Sequence, residues 1–217
     1  AKALLATRGA MILTMAERCE PGLAARLAQT LDAQDGHCLL LLDEGAEDDE
    51  IAPTTLTERL AFRIDLEGLR HSELARLVLT DTEIDEARAV LSDVTIPQGT
   101  VEALTVTAAR FGILSLRAPL LALAAARSNA ALNKRNSVTE DDLQIAVQLV
   151  YAHRATQMPA DEEEPEQQEP ETDQDDSPDS QSPDQDDNEL QLPDELLIEA
   201  VKAILPLDVL AALEGSG

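Results

Sequence analysis

The sequence predicts an α/β unit followed by an all-helical domain, a disordered acidic linker and a final helix, and three observations predict it. Two short apolar runs, residues 11–16 (MILTMA) and 38–42 (CLLLL), flank an amphipathic segment at 21–31, in the order strand, crossover helix, strand. From residue 70 to 158 apolar residues recur at helical spacing with little interruption. Residues 161–190 then carry 15 of the 43 acidic residues and no Lys or Arg. Such a stretch cannot bury enough apolar surface to offset the entropy of ordering.

The α/β unit, residues 1–69, begins with the strand at 11–16. Pro21 opens the helix at 21–31, where its missing N–H would be unpaired in any case. The second strand at 38–42 runs into an acidic loop at 43–50. A helical turn at 54–60 and a third strand at 61–66 complete the unit. Three strands with so few crossover helices fall short of a whole doubly wound domain, so part of the unit is expected upstream of residue 1.

The helical domain, residues 70–158, is read as five segments. Two short ones lie at 72–79 and 82–91, the second with Thr82 as its cap. Pro97 opens a third that ends near Gly112. The fourth, 116–133, is so rich in Ala and Leu that at least one face must be buried. Thr139 with Glu140, Asp141 and Asp142 places a hydroxyl cap and three carboxylates at the start of the fifth, opposite the positive end of the helix dipole. Residues 159–192 form the linker. Residues 193–213 are amphipathic, interrupted at Pro206, and need a partner surface to stay folded.

Several function classes are disfavoured. The net charge is -27, with 1% aromatic residues and no Trp, which opposes binding to a phosphate backbone and leaves almost no stacking platform for bases. Cys19 and Cys38 suit two reduced cysteines, with a bridge not excluded, and His37, His71 and His153 share no metal-ligand spacing. No apolar run approaches the roughly 18 to 20 residues of a membrane span, and a cytoplasmic location is expected. No GxxxxGK[ST] loop occurs, so the chain lacks the backbone cradle and lysine that hold β- and γ-phosphates. Asp43-Glu44, after CLLLL, has the composition of a magnesium-binding strand end, although an apolar strand entering a solvated acidic turn reads the same way.

Taken in order, these features resemble the D subunits of magnesium chelatases, which are AAA+ proteins, over nearly the whole chain. In LLATRGAMILTMAERCEPGLAARLAQTLD, Ala16 stands where active chelatase ATPases carry the magnesium-binding Asp, while Glu17 keeps the second acidic position. The strand at 38–42 then corresponds to the sensor-bearing one. In the following segment Arg59, within TERLAF, matches the arginine finger that acts in trans on a neighbouring subunit's nucleotide. Segment 115–154, SLRAPLLALAAARSNAALNKRNSVTEDDLQIAVQLVYAHR, resembles the AAA+ lid. There Arg117 matches the arginine at the start of the sensor helix, Arg127 lies further along it, and Ala124 replaces a mid-helix arginine. Taken without the resemblance, Arg59 would read as a surface arginine paired with Glu58 or Asp65. The linker and PDELLIEAVKAILPLDVLAAL resemble the stretch that leads into an integrin-I-like domain.

The resemblance implies a non-hydrolysing AAA+ subunit that binds no cofactor alone. It would assemble in a ring with the ATPase I subunit, whose site holds ATP and Mg2+, and act on the porphyrin-binding H subunit. That complex, a ligase forming a nitrogen–metal bond, inserts Mg2+ into protoporphyrin IX in chlorophyll and bacteriochlorophyll synthesis. Two other readings stay open: an active ATPase whose phosphate loop lies upstream, with Glu17 or Asp43-Glu44 catalytic, and a helical adaptor without nucleotide chemistry.

Overall fold

The computed structural model describes residues 9–33, 36–47, 49–66, 68–70 and 79–157. The helix expected at 72–79, the linker and the segment 193–213 lie outside them, apart from Leu79.

Strand β1, Gly9–Thr14, pairs in parallel with β2, His37–Leu42, in the register Gly9 to His37 through Thr14 to Leu42. Helix α1, Pro21–Ala33, is the crossover between them. The odd-numbered residues Met11, Leu13, Leu39 and Leu41 face α1, where Ala24, Leu27 and Ala28 meet them around the fully buried Leu56. The even-numbered Ile12, Leu40 and Leu42 are exposed on the other face, as the two-residue period of a strand dictates. β1 ends two residues earlier than the apolar run suggests. Met15 takes a left-handed conformation (φ 50°) and starts a 3-10 turn over Ala16–Arg18, closed by Arg18 N–H on the Met15 carbonyl at 3.0 Å.

The short helix α2, Thr54–Thr57, is held to the α/β core by Leu56. The third strand expected at 61–66 is absent, and the sheet has two strands among the described residues. Arg154 occupies the Leu60 and Ala61 carbonyls, the latter at 3.2 Å, where a ladder would need a neighbouring strand. Phe62, Ile64 and Leu66 are left exposed.

The lid consists of α3 (Asp81–Val90), α4 (Thr100–Arg110), α5 (Arg117–Leu132) and α6 (Glu140–Tyr151). The cap of α3 is Thr80 rather than Thr82. Its hydroxyl accepts the Glu83 N–H at 3.3 Å, and the Glu83 carboxylate accepts the Thr80 N–H at 2.8 Å, a reciprocal box that Thr82 is too far into the helix to make. Pro97 does not open α4. The helix begins at Thr100 behind Gly99, whose φ of 85° turns the chain into it. Along α5 the alanines 118, 122, 126 and 130 form a fully buried stripe that lets α4 and α6 approach closely.

Asp142 lies in the first turn of α6, fully buried, and its carboxylate accepts four hydrogen bonds. They come from the Arg135 guanidinium at 2.5 Å, the Asn129 amide at 2.6 Å, and the Thr139 hydroxyl and N–H at 2.8 and 2.9 Å. A charge out of water is tolerable only with such compensation. Tyr151 donates to the Leu104 carbonyl at 2.9 Å, and burial pushes its phenol well above the ordinary range.

Candidate functional site

α1, α2 and α5 bring the two matched arginines together on one carboxylate that sequence reasoning did not single out. Asp32, near the C-terminal end of α1, receives Arg59 in a two-point pair, Nε to Oδ1 at 3.0 Å and Nη2 to Oδ2 at 2.6 Å. Arg117, the first residue of α5, reaches the same two oxygens at 3.0 and 3.4 Å. The fork geometry of each guanidinium suits a planar oxyanion, and a carboxylate is such a group. The Arg59 hydrogen bond, aided by the Arg59 and Arg117 charges, outweighs burial, the next largest effect, and holds the Asp32 carboxyl below its ordinary pKa.

Arg59 is placed by the chain around it. Its backbone N–H closes on the Leu56 carbonyl at 2.9 Å and its Nη1 donates to the Thr55 carbonyl at 2.6 Å, so the buried Leu56 fixes its base. Its side chain is only 16% exposed, against 45% for Arg117. Immediately downstream the chain changes cores, because Leu60 packs with the α/β cluster and Ala61 with the lid cluster. Arg154 fastens this crossing, reaching the Leu60 and Ala61 carbonyls together with that of Val150 at 2.6 Å.

The other candidate residues lie apart from this pair. Arg127 donates to the Leu91 carbonyl at 2.9 Å and ties α5 to the 3-10 turn after α3. Ala124 is exposed on an apolar groove. Ala16 is fully buried and offers no oxygen. The Glu17 side chain is 3% exposed; its carboxylate accepts the Glu44 N–H at 3.2 Å and meets Arg18 at 3.5 Å, which joins the ends of β1 and β2. Asp43 closes the loop that follows β2: Oδ1 accepts the Gly45 N–H at 3.1 Å and Oδ2 the Ala52 N–H at 2.9 Å. This donor set does not fit a magnesium–nucleotide held by the chain itself. Ala16 offers no oxygen, and the carboxylates at 17 and 43 are engaged in hydrogen bonds within the fold. Among the described residues no cluster of His, Cys, Asp and Glu could hold a metal ion, and no helix is long and apolar enough to cross a membrane.

Comparison with known proteins fits the same outline. The AAA lid domain family matches residues 101–173. The chain is 49% identical over 213 residues to the magnesium-chelatase 60 kDa subunit of Cereibacter sphaeroides, covering 98% of this chain and 38% of that one. Nearly the whole chain is thus similar to part of a magnesium-chelatase subunit. The corresponding 60 kDa subunit of Rhodobacter capsulatus is 44% identical over 97% of this chain and 37% of its own length. The chain thus spans less than two fifths of these chelatase relatives. The crystal structure of a candidate ATPase from Cytophaga hutchinsonii superposes with a TM-score of 0.52 at 16% identity, over 67% of this chain and 58% of that one, a likeness of fold.

Sequence reasoning missed Asp32 and Arg154. Asp32 lies 27 residues from Arg59 and 85 from Arg117, separations at which no local periodicity operates. Arg154 carried a weak signal, a basic residue just past a helix C-terminus, where a cation meets unpaired carbonyls.

Proposed function

We propose that this chain serves as a non-hydrolysing AAA+ platform of magnesium chelatase. It assembles in a ring with the ATPase I subunit and transmits that subunit's ATP-driven changes to the porphyrin-binding H subunit, for Mg2+ insertion into protoporphyrin IX. The observation that carries the reading is the convergence of Arg59 and Arg117 on the Asp32 carboxylate. Two guanidiniums from different parts of the fold already meet on an oxyanion, the arrangement needed to receive a phosphate oxygen presented by a neighbour. The loss of an acidic side chain at Ala16 and the structural use of Glu17 support a role without hydrolysis. ATP and Mg2+ belong in this reading to the partner's site, and the chain contributes Arg59 in trans.

The test is ATP turnover by the I subunit mixed with the native chain or with Arg59→Ala. The variant is expected to assemble normally and to lower turnover at the sites it completes by about a thousandfold, the lower end of the range for loss of an arginine that stabilises transferring phosphate. Unchanged turnover at saturating subunit, or turnover by this chain alone, would overturn the reading.

A further inference from the structure

Helices α5 and α6 and the residues after Leu60 enclose an apolar groove of about 330 Å3 that no other described residue lines. Its floor is the outward face of α5, opposite the buried alanine stripe, and consists of the small residues Ala124, Ala125 and Ser128. Leu121 and Leu132 close its ends, while Phe62 on one side and Ile145 and Leu149 of α6 on the other form its walls. Phe62 is 51% exposed and Leu149 47%. A small-residue floor between large apolar walls admits a helix, which can approach the α5 backbone closely while its own side chains reach the walls.

We propose that the occupant is this chain's own segment 196–205, LLIEAVKAIL, bound as a helix in the groove. Three features of the sequence and the groove support that choice. Leu197, Ile198, Val201, Ile204 and Leu205 fall at i, i+1, i+4, i+7 and i+8, a single apolar stripe when the segment is helical, with Glu199 and Lys202 away from it. Ten helical residues span about 15 Å, close to the roughly 16 Å between Leu121 and Leu132 along α5. Pro206 immediately follows the segment, at a position where a helix ordinarily stops.

The tether permits the fit. The last described residue, Gln157, lies against Arg110 and Phe111 at the end of α4, and residues 158–195 separate it from the segment. A coil of that many residues would span about 35 Å root-mean-square, enough to return the segment to the groove. The segment is therefore held near the groove at an effective concentration on the order of 1 mM, so an affinity of only ~0.1 mM keeps the groove about nine-tenths filled. The amphipathic segment and the open groove cover each other's apolar surface. This inference does not depend on the nucleotide reading.

The test uses the full 217-residue chain and hydrogen exchange of the groove helices. The paired substitutions Leu197→Asp and Val201→Asp lie outside the bundle core and leave its folding intact. They are expected to speed amide exchange in 121–132 and 145–149 by about tenfold, the protection that occupancy at that effective concentration supplies, while 103–110 in α4 stays unchanged. A second measurement places cysteines at Ser128→Cys and Val201→Cys in a chain with Cys19→Ser and Cys38→Ser; an intramolecular disulfide is expected. Unchanged exchange in the Asp variant would overturn the proposal. So would protection that rises with protein concentration and disulfides formed only between chains, which would assign the groove to a second copy, or protection that appears only when another subunit is added.

Discussion

Tyr151, Phe111, Leu104 and Leu143 are fully enclosed in the helical lid, whereas in the α/β unit, among the described residues, Leu56 alone of the side chains that large is so enclosed. The lid closes its core from four helices and then adds a satisfied polar knot at Asp142. The α/β unit covers one face of a two-stranded sheet and leaves Ile12, Leu40 and Leu42 open on the other. Parallel sheets are ordinarily covered on both faces. Among the described residues, the candidate site therefore lies where a half-covered sheet meets a closed helical core.

Asp142→Ala should break this contrast most severely. It removes the shared acceptor of Arg135, Asn129 and Thr139, and leaves a partly buried guanidinium without its counter-charge, at a cost of about 3 kcal/mol. Thermal unfolding should fall by about 10 °C in a domain of this size, with the lid amides losing protection first. Arg154→Ala should sharpen the contrast instead. Loss of the bonds to the Leu60 and Ala61 carbonyls costs about 2 kcal/mol and should leave the lid nearly as stable as before. Exchange in α1 and around Arg59 is expected to rise, and a single melting transition to split into two.

The same joint predicts a pH dependence. His153 is shifted down to about 4, first by burial and then by the Arg154 and Arg63 charges. The folded state therefore keeps the ring neutral where the unfolded chain protonates it. The resulting stability is present above pH ~6.5, the unfolded value, and is lost as the pH falls to about 4. After solvent screening at this half-buried position, the change is on the order of 1 kcal/mol. Chemical denaturation of His153→Asn across that range should show a flatter profile than the native chain. The smallest effect is expected at the lid's edge, where Thr80→Ala removes the α3 cap at a cost of about 1 kcal/mol. Faster exchange confined to 81–84 would register it.

Local order was legible in the sequence wherever a few neighbouring residues settle the outcome. Apolar runs around an amphipathic helix gave the β-α-β unit, and Thr139 followed by three carboxylates marked the start of α6. Thr80 was overlooked because Thr82 offers the same hydroxyl two residues later, and the two are separated only by which one faces Glu83. The alternation in AFRIDL reads as a strand, yet a strand also needs an adjacent edge, and at Leu60 and Ala61 an arginine from 93 and 94 residues away occupies the carbonyls. The arginine pair was legible only as two separate positions. The acidic partner that unites them is set by how the lid docks on α1.

The position of Arg59 is triangulated. One strut runs through Asp32 to Arg117 at the start of α5, and the other through the Leu60 carbonyl to Arg154 just past the end of α6. A rigid tilt of the lid cannot leave that guanidinium where it was unless one of the struts gives way. The bundle and Arg59 are thus registered to each other by one carboxylate and one backbone carbonyl.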